Sequence, residues 1–545
     1  MSKRSDRNEM EAMVNGVYSF DHDHEVPARE LGHLLGGKGA GLAEMTGALG
    51  FNVPPGFTIT VPMCRAYLAQ GWPADLDAEI SAHIDQLGEV MGRRLGDPMD
   101  PLLVAVRSGA PVSMPGMLDT VLNLGLNDDT VEGLARISAD ERFAWDSYRR
   151  FLSMFASTVM DVPRETLPEI EAGATPEVLR GHVAALKERI AEYAGRPVPH
   201  DPVQQLREAI EAVFRSWGSD RARAYRKHES IDENIGTGCN VQAMVFGNRG
   251  DDSGTGVVFT RDPSTGEATP FGDYLPCAQG EDVVGGNART EPLIYLAEHQ
   301  PDAYAELLET LRRLELHYRD ICDVEFTVEN GKLWLLQTRI GKRGAVAAVR
   351  IAVDMADDAE IGLTPAEVLA RVPEATRARA RAEVAAQAQD PEEGTTLLGI
   401  GLGASPGRVS GRVVLTAEEA MCADDDVILV RTSTSPEDVA GMSASVGILT
   451  TQGGLVSHAA VVARGWGIPA VVGAHTLSIS GDQVRSDGGS SVTAGEVITI
   501  DGATGCVWIG EVAASAAEAA DVVVERLPHL LRIDEWAQQR EVSPA

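Results

Sequence analysis

Short apolar runs alternate with helix-like patterns in the last third of the chain. The runs GRVVL, DVILV and VGILT have the length and the β-branched content of buried strands. A helix start lies between two of them, where Ser435 and Pro436 precede two acidic residues. This alternation predicts an α/β domain over residues 397–512.

Helical patterns connect that domain to what precedes it. Thr364 followed by Pro365 is typical of a helix start, and the run TRARARAEVAAQAQ is rich in helix formers. Residues 343–396 are therefore predicted to be connecting helices that end in the polar turn DPEEGTT. Upstream, residues 1–342 change to strand and turn composition near residue 235, which predicts two lobes that meet there.

The tail, residues 513–545, begins with an alanine-rich segment (513–524) that suits either a linker or a short helix. Its apolar residues, Leu527, Leu530, Leu531, Ile533 and Trp536, are only loosely helical in spacing. Packing of this tail on its own domain is a commoner outcome than docking on another subunit, and both stay open at this point.

An acidic strand face is predicted near residue 325. The run DVEFTV alternates, so Asp323, Glu325 and Thr327 share one face of a strand. Together with Gln337 and Arg339 from the returning strand, such a face could hold Mg²⁺ and a nucleoside triphosphate. A solvated hairpin face with no ligand is the alternative.

The turn of this hairpin decides whether those residues share a face. A two-residue turn at Asn330 and Gly331 would place Gln337 opposite Val324, off the acidic face. A three-residue loop would instead pair Gln337 with Asp323. If the residues form one site, the longer loop is required, and a two-residue turn in register would remove the shared-face argument.

Composition narrows the kind of ligand. The 545 residues suggest roughly three to four domains. The six cysteines are scattered without a C-x-x-C pair, so zinc is not expected. A net charge of −34 disfavours nucleic acid and anionic membrane as partners, so an anionic ligand needs a local basic cluster. The first residues lack the apolar segment of a signal peptide, and no stretch has the length of a membrane span, which predicts a cytoplasmic protein.

Two basic residues lie beside glycines. In LLGGKGAGLAEMTG, Lys38 stands where a glycine-rich turn meets a predicted helix, and the free amides there favour phosphate. A tight turn without a ligand is the alternative. In LLVAVRSGAPVSMPGMLDTVLNLGLN, an apolar strand is predicted to deliver Arg107 into a loop of small residues, which suits close approach to a ligand. An ordinary surface loop is the alternative there.

One histidine is unusually placed. His458 lies in TTQGGLVSHAAVVARGWGIPAVVG, between a glycine pair and a run of small and apolar residues. A hydrogen-bonded packing histidine is one interpretation. A neutral imidazole can also attack phosphorus, and Ser457 is a predicted N-cap that would place a phosphate on His458 near free helix amides. Gly453 and Gly454 would leave room for that phosphate.

Several long motifs occur in one order along the chain: GGKGAGLAEM, VRSGAPVSMPGMLDTVLNLGLN, RFAWDSYRRF, GTGVVFTRDPSTGE, AQGEDVVGG, DVEFTVENGKLWLLQTRIGKR and GGLVSHAAVVARGWGIPAVVG. From about residue 17 to about residue 512 the chain resembles the pyruvate, phosphate dikinase family. Phosphoenolpyruvate synthase and rifampin phosphotransferase have an acidic loop in place of APVSMPGMLDTVLN. The resemblance implies an α/β (α+β) protein with an ATP-grasp nucleotide-binding region followed by a swivelling phosphohistidine domain.

The resemblance also implies roles for individual residues. His458 matches the phosphocarrier, while Lys38 and Arg107 match residues that grip the phosphates of ATP. Glu325 and Gln337 match the nucleotide and Mg²⁺ site. The remaining candidates are Arg339 for phosphate, Asp323 as a weaker match, Gln242 and Met244 on the adenine-side strand, and Arg149 or Arg150 either for inorganic phosphate or as ordinary helix-face arginines. Val456 replaces the threonine that is the regulatory phosphorylation site in the plant enzymes, so that control is not expected.

The implied function is that of a dikinase with paired acceptors. ATP and inorganic phosphate would phosphorylate the carrier histidine and give AMP and pyrophosphate. The family's pyruvate and phosphoenolpyruvate barrel needs on the order of 250 residues, and 33 residues follow position 512. We therefore expect a separate acceptor-domain protein or a non-pyruvate acceptor, and a homodimer is allowed. The alternatives are a non-catalytic nucleotide-binding or regulatory relative and a partner-docking relative.

Overall fold

The computed structural model describes residues 15–114, 117–171, 173–284, 290–387, 395–512 and 525–542. The chain divides into two compact units, Met1–Arg249 with Trp334–Thr338, and Gly250–Leu333 with Arg339–Ala545. Both units combine helices with sheets, which confirms the predicted α/β (α+β) class.

The first unit is built on an antiparallel five-stranded sheet with the order β1-β2-β7-β5-β6. The strands of this sheet are β1 Val17–Ser19, β2 Gly56–Ile59, β5 Val104–Gly109, β6 Thr120–Leu124 and β7 Gly238–Ala243. Strands β3 Arg94–Leu95 and β4 Pro101–Leu102 form a separate parallel pair. The helices of this unit are α1 Gly32–Ala43, α2 Val61–Gln70, α3 Leu76–Met91, α4 Thr130–Ser138, α5 Glu141–Val159, α6 Pro176–Ala194, α7 Pro202–Ser216 and α8 Asp220–His228. The apolar faces of α5 and α7 are buried in the same core as β5 and β7.

Side-chain caps define where four of these helices begin. Asp140, Thr175, Asp201 and Ser219 each accept a hydrogen bond from a backbone N–H in the first turn of the following helix. Such a cap satisfies a donor that the helix itself cannot pair. The local sequence therefore determines where these helices start. Helix α8 ends at His228, and the division between the two units lies after Arg249, whereas the lobe boundary was predicted near residue 235.

The second unit begins with an antiparallel sheet of order β10-β9-β8-β11-β12. Its strands are β8 Gly254–Phe259, β9 Phe271–Pro276, β10 Glu291–Pro292, β11 Cys322–Glu329 and β12 Lys332–Ile340, and its helices are α9 Gly280–Val284, α10 Ile294–His299 and α11 Pro301–Tyr318. We call residues 254–340, without the part of β12 that belongs to the first unit, the five-stranded segment.

The hairpin turn between β11 and β12 differs from the prediction. The strands are separated only by Asn330 (φ 50°) and Gly331 (φ 73°), a two-residue turn with both residues in the left-handed region. Asn-Gly fits this turn type without a third residue, so the longer loop that a shared acidic face requires does not separate β11 and β12. At the end of the hairpin away from the turn, the Gly341 N–H donates to the Ile321 carbonyl at 2.9 Å. If the register set by the turn continued unchanged, Ile321 would instead pair with Ile340. Register has therefore shifted by one residue along β12.

Helices α12 Ala345–Asp357, α13 Pro365–Arg371 and α14 Glu374–Gln387 follow, as predicted for residues 343–396. The start of α13 is a capping box, in which the Thr364 hydroxyl accepts from the Glu367 N–H and the Glu367 carboxylate accepts from the Thr364 N–H. Residues 390–394, in the predicted polar turn, lie outside the described residues.

The C-terminal helix α18, His529–Val542, packs on these connecting helices. Its residue Asp534 pairs with Arg377 at 2.7 Å and with Arg381 at 2.6 Å. Leu530 and Ile533 are buried in the same apolar cluster as α12. This part of the tail therefore folds on its own unit, whereas the alanine-rich residues 513–524 lie outside the described residues.

The last part of the second unit is an eight-stranded sheet of order β13-β23-β22-β15-β16-β17-β18-β14, in which β15 to β18 run parallel. Its strands are β13 Thr396–Ile400, β14 Leu402–Ser405, β15 Arg408–Val414, β16 Val427–Arg431, β17 Gly447–Thr450, β18 Ala470–Val472, β22 Val497–Asp501 and β23 Cys506–Ile509. A small separate sheet contains β19 Leu477–Ser480, β20 Gln483–Ser486 and β21 Ser491–Thr493. The helices are α15 Ala417–Met421, α16 Val439–Ala444 and α17 His458–Trp466. We call residues 396–512 the eight-stranded segment.

The predicted strands of this segment are confirmed as β15, β16 and β17. Ser435 is also confirmed as a cap, since it forms a capping box with Asp438 ahead of α16. In the part of the chain that the structure describes, no helix has both the length and the apolar composition required to cross a bilayer.

Candidate functional site

His458 is the first residue of helix α17. Ser457 precedes it with extended backbone (φ −62°, ψ 162°), so the predicted N-cap position is confirmed. The Ser457 hydroxyl makes no capping hydrogen bond, and its Oγ is buried without a hydrogen-bond partner among the described residues. The first turn of the helix thus lacks the usual side-chain cap and presents its amides beside His458.

The two ring nitrogens of His458 have different surroundings. Nδ1 lies 3.0 Å from Oγ1 of Thr434. Nε2 is buried and has no hydrogen-bond partner within the described ranges, although a buried polar atom is normally paired. His458 lines a small pocket together with Ser433, Thr434, Thr450, Gln452, Gly453, Ser457 and Ala459. A packing histidine would be expected to have both nitrogens satisfied, so this arrangement points to a ligand on Nε2.

The protonation state of His458 suits a nucleophile. Burial lowers its pKa from 6.5 to about 4, against the opposing effect of Asp438 and Glu437. The imidazole is therefore neutral near pH 7. When the Nδ1–H donates to the Thr434 hydroxyl, the lone pair remains on Nε2. Sequence reasoning did not find Thr434, which lies 24 positions before His458.

The loop before His458 packs on the five-stranded segment. A Cβ on Gly454 would lie 2.3 Å from Oδ2 of Asp273. This glycine was expected to leave room for a phosphate, but it makes room for Asp273 instead. Gly453 (φ 96°) does line the pocket of His458. Val456 is 3% exposed and belongs to an apolar cluster with Val257 of β8.

Lys38 of the first unit lies just after a kink in α1. Gly36 has φ 71° and ψ 164°, and a Cβ there would lie 1.6 Å from the Gly109 carbonyl oxygen. Only glycine permits this approach, after which the Gly37 N–H donates to the Ala110 carbonyl at 2.9 Å. The predicted glycine turn ahead of Lys38 is therefore present, and it lies against the end of β5.

Arg107 lies in strand β5 itself, because the strand continues to Gly109. The prediction that it enters the following loop is corrected accordingly. Its Nη1 donates to the Leu336 carbonyl at 3.1 Å. The structure thus places the Lys38 side chain against Gly109, two positions along β5 from Arg107.

The candidates for the adenine side are less accessible than expected. Strand β7 ends at Ala243, so Met244 lies just beyond it, with its N–H donating to the Leu103 carbonyl at 2.9 Å. Gln242 is 2% exposed and its amide donates to the Pro54 carbonyl at 3.1 Å. Gln337, also in the first unit, is 8% exposed.

Arg149 and Arg150 share one carboxylate on helix α5. Their Nε atoms donate to Asp146 at 2.9 Å and 2.8 Å. Burial raises the pKa of Asp146, but the two arginines outweigh it and hold that pKa below its ordinary value. These ion pairs favour the interpretation that the arginines belong to a structural helix face.

Asp323 and Arg339 of the second unit form an ion pair. The Arg339 Nε donates to Asp323 Oδ2 at 2.7 Å, which the register shift in β12 makes possible. Burial raises the pKa of Asp323 and Arg339 opposes it. The other oxygen, Oδ1, is buried without a hydrogen-bond partner in the described chain, and Glu325 lies two positions along on the same strand face.

These oxygens are of the type that Mg²⁺ prefers, which usually takes one or two carboxylates and completes its shell with substrate phosphates and water. No group of three or more His, Cys, Asp or Glu side chains that could hold a metal occurs within the described ranges. The Glu325 carboxylate and the buried Oδ1 of Asp323 are oxygens that could hold such a cation together with the phosphates of a nucleotide.

Two family models match the chain. One, described as pyruvate phosphate dikinase, AMP/ATP-binding domain, matches residues 32–72, 68–304 and 295–360. The other, described as PEP-utilising enzyme, mobile domain, matches residues 423–505, which include His458.

Curated relatives are similar over most of this chain. Pyruvate, phosphate dikinase 1, chloroplastic, of Oryza sativa subsp. japonica is 46% identical over 514 residues, which cover 91% of this chain and 54% of that protein. Pyruvate, phosphate dikinase of Rhizobium meliloti (strain 1021) is 44% identical, covering 92% and 58%. The enzyme of the same name from Clostridium symbiosum is 43% identical, covering 92% and 58%. The chain thus spans a little over half the length of the curated relatives it matches.

Proposed function

Because this chain belongs to the pyruvate, phosphate dikinase family, we propose that it transfers a phosphoryl group from ATP to His458 with inorganic phosphate as the paired acceptor. One observation carries the proposal. His458 begins a helix, holds Thr434 on Nδ1 and has a buried Nε2 without a partner among the described residues. A nitrogen placed in this way is ready to form a covalent bond.

The proposed reaction has two steps, whose order follows the family resemblance. Nε2 first attacks the β-phosphorus of ATP, forming an N–P bond as the bond to the AMP oxygen breaks. Inorganic phosphate then accepts the outer phosphoryl group and leaves as pyrophosphate, so the β-phosphoryl group stays on His458. The low pKa of His458 supports this role, because no proton has to leave Nε2 before attack.

The basic residues and oxygen ligands have separate proposed tasks. Lys38 and Arg107 hold ATP phosphates, and Arg339 supplies a further cation. Glu325 and Asp323 would hold Mg²⁺, which would neutralise charge on the transferring phosphates. Gln337 is proposed for the same nucleotide site from the family resemblance alone, because the two-residue turn does not provide the shared face. Gln242 and Met244 remain proposed for the adenine side. For Arg149 and Arg150 the two interpretations are inorganic phosphate binding and a structural helix face, and their ion pairs with Asp146 favour the second.

The proposed domain organisation assigns nucleotide binding to residues 1–342 and the carrier to residues 397–512. Residues 343–396 form the swivel linker and residues 513–545 the tail. A carrier that serves two sites must move between them. The three helices that precede the carrier segment in the chain support the proposal that residues 343–396 are a helical linker.

We further propose that the acceptor site lies on a separate chain or takes a non-pyruvate acceptor. The matching family models describe AMP/ATP binding and a mobile domain, which supports the first half-reaction in this chain. A homodimer and a cytoplasmic location are the other proposed properties. Co-purification of the chain with its partners, followed by mass spectrometry, would identify an acceptor protein.

Product analysis tests the proposal. The full chain with Mg²⁺, ATP and phosphate should form AMP and pyrophosphate in amounts that match the phosphohistidine produced. His458→Ala should form neither product, while His200→Ala, at an exposed position of the first unit, should retain both. Formation of ADP with free phosphate as the other product would show that a different reaction occurs.

A further inference from the structure

Arg464 occupies an unusual position on helix α17, six residues after His458. Its side chain is 2% exposed. The Nε donates to the Ala404 carbonyl at 3.1 Å and Nη2 donates to the Leu455 carbonyl at 3.1 Å, both within the eight-stranded segment. A buried guanidinium is costly unless charges or dipoles around it compensate, so its remaining surroundings matter.

Those surroundings come from the five-stranded segment. The guanidinium carbon lies 5.4 Å from the centroid of the Phe259 ring on β8, within the range of a cation–π contact. Burial lowers the pKa of Arg464 to about 10, and the carboxylates of Asp262, Asp323 and Asp273 act against this. The other segment therefore contributes to the compensation for the buried charge, in addition to the two carbonyls of the eight-stranded segment.

The effect is mutual. Burial raises the pKa of Asp273 and of Asp323, and Arg464 opposes the rise in both. Asp323 also pairs with Arg339 and belongs to the proposed nucleotide site. Arg464 therefore stabilises the charged form of a residue in that site. If the segments separated and water did not hydrate these groups, Arg464 would lose the stabilising effect of the carboxylates, and Asp273 and Asp323 would lose that of Arg464.

Close packing surrounds this charge. On one side, Gly454 makes room for Asp273 and Val456 packs in the cluster of β8. On the other, a Cβ on Gly465 would lie 2.8 Å from Nζ of Lys342, and a Cβ on Gly467 would lie 2.6 Å from Nη1 of Arg379. Cations at the C-terminal end of a helix are favourable, so α17 is held at both ends.

We propose that Arg464 is a positioning residue that docks the segment carrying His458 onto the five-stranded segment. This rests on the carrier function proposed above. A docking contact built on a charge can be reversible, because water hydrates Arg464 and the carboxylates after separation. The contact should therefore weaken at high salt and depend on Arg464 more than an apolar contact of the same size would.

The chain offers natural positions for measuring docking. Cys277 of the five-stranded segment and Cys422 of the eight-stranded segment are exposed, whereas Cys64, Cys239 and Cys322 are buried. With Cys506→Ser as background, nitroxide labels on Cys277 and Cys422 report the distance between the segments by double electron–electron resonance.

Arg464→Met in the full chain should reduce the ratio of docked to undocked molecules by at least about ten-fold, and Arg464→Lys by less. Asp273→Asn should act in the same direction from the other side. The Asp273→Asn substitution leaves the hydrogen bonds of Arg464 to Ala404 and Leu455 in place. It therefore still tests the docking role if Arg464→Met fails to fold. Arg485→Met, at an exposed arginine of the same segment, is the matched control and should leave the distances unchanged.

An unchanged distance distribution in Arg464→Met and Asp273→Asn would overturn the docking role. The label distance can be measured in the unphosphorylated chain without ATP, so it separates the two proposals. Loss of docking in a chain that ATP fails to phosphorylate would leave Arg464 as a docking residue and reject the carrier function. Normal docking in an Arg464→Met chain that is phosphorylated normally would reject the docking role of Arg464 and leave the carrier function in place.

Discussion

Replacing Thr434 with Val should slow phosphorylation of His458 while leaving ATP binding intact. Valine has nearly the shape of threonine but cannot pair with Nδ1, which lies 3.0 Å from the threonine hydroxyl. Nδ1 is then buried without a partner, and the tautomer that keeps the lone pair on Nε2 loses its preference. An unpaired buried group of this kind costs about 1–3 kcal/mol, which corresponds to about a 5- to 150-fold decrease in rate.

Rapid-quench measurements with labelled ATP would give the rate of phosphohistidine formation, and titration calorimetry would give the ATP affinity. Thr434→Ser, which restores the hydroxyl, should recover most of the rate. NMR of the phosphorylated chain should find phosphorus on Nε2. A Thr434→Val chain that reacts at the rate of the unaltered protein, or phosphorus on Nδ1, would refute the assigned role of Thr434.

Three further predictions follow from the site. Lys38→Ala and Arg107→Ala should each weaken ATP binding by about ten-fold or more with little change in melting temperature, as measured by calorimetry and thermal unfolding, because both side chains contact phosphates in the proposal; unchanged ATP affinity in both would reject this placement of the nucleotide. The folded-state pKa of His458, about 4, lies below its ordinary 6.5, so the unfolded chain binds a proton first as the pH falls. The stability contributed by the neutral ring should be fully present above about pH 6.5 and decrease by about 3 kcal/mol as the pH falls to about 4. Denaturant unfolding of the unaltered chain against His458→Gln checks this, and equal pH dependence in both would contradict it. Arg149→Ala should leave the phosphate dependence of the reaction unchanged if its pair with Asp146 is structural, whereas a raised KM for phosphate would restore the phosphate-binding hypothesis.

The sequence predicted features that depend on neighbouring residues. Ser435, Thr364 and Ser457 precede helices as expected, because small polar residues are favoured at this position. At Ser457 the position is as predicted, although its hydroxyl makes no capping hydrogen bond. The buried parallel strands were also recognisable from their apolar runs.

Features that depend on distant contacts were not predictable in the same way. The turn at Asn330 and Gly331 signalled a two-residue loop, but the later register shift that lets Arg339 reach Asp323 has no signal in the turn. Thr434 is one of several small polar residues before a capped helix, and only the fold brings it to His458. Arg464 offered a weak signal that was overlooked, a charged residue within an apolar helix pattern.

The transfer of a specific phosphorus atom to His458 is the central claim, and its most direct test uses two labels. The full chain is incubated with Mg²⁺, phosphate and ATP labelled at either the β- or the γ-phosphorus, and then quenched in acid or in base. The account predicts base-stable, acid-labile label on the protein from β-labelled ATP alone, label from the γ-phosphorus in pyrophosphate, and no protein label in His458→Ala. Protein label from γ-labelled ATP after complete reaction, or label that persists in His458→Ala, would contradict it.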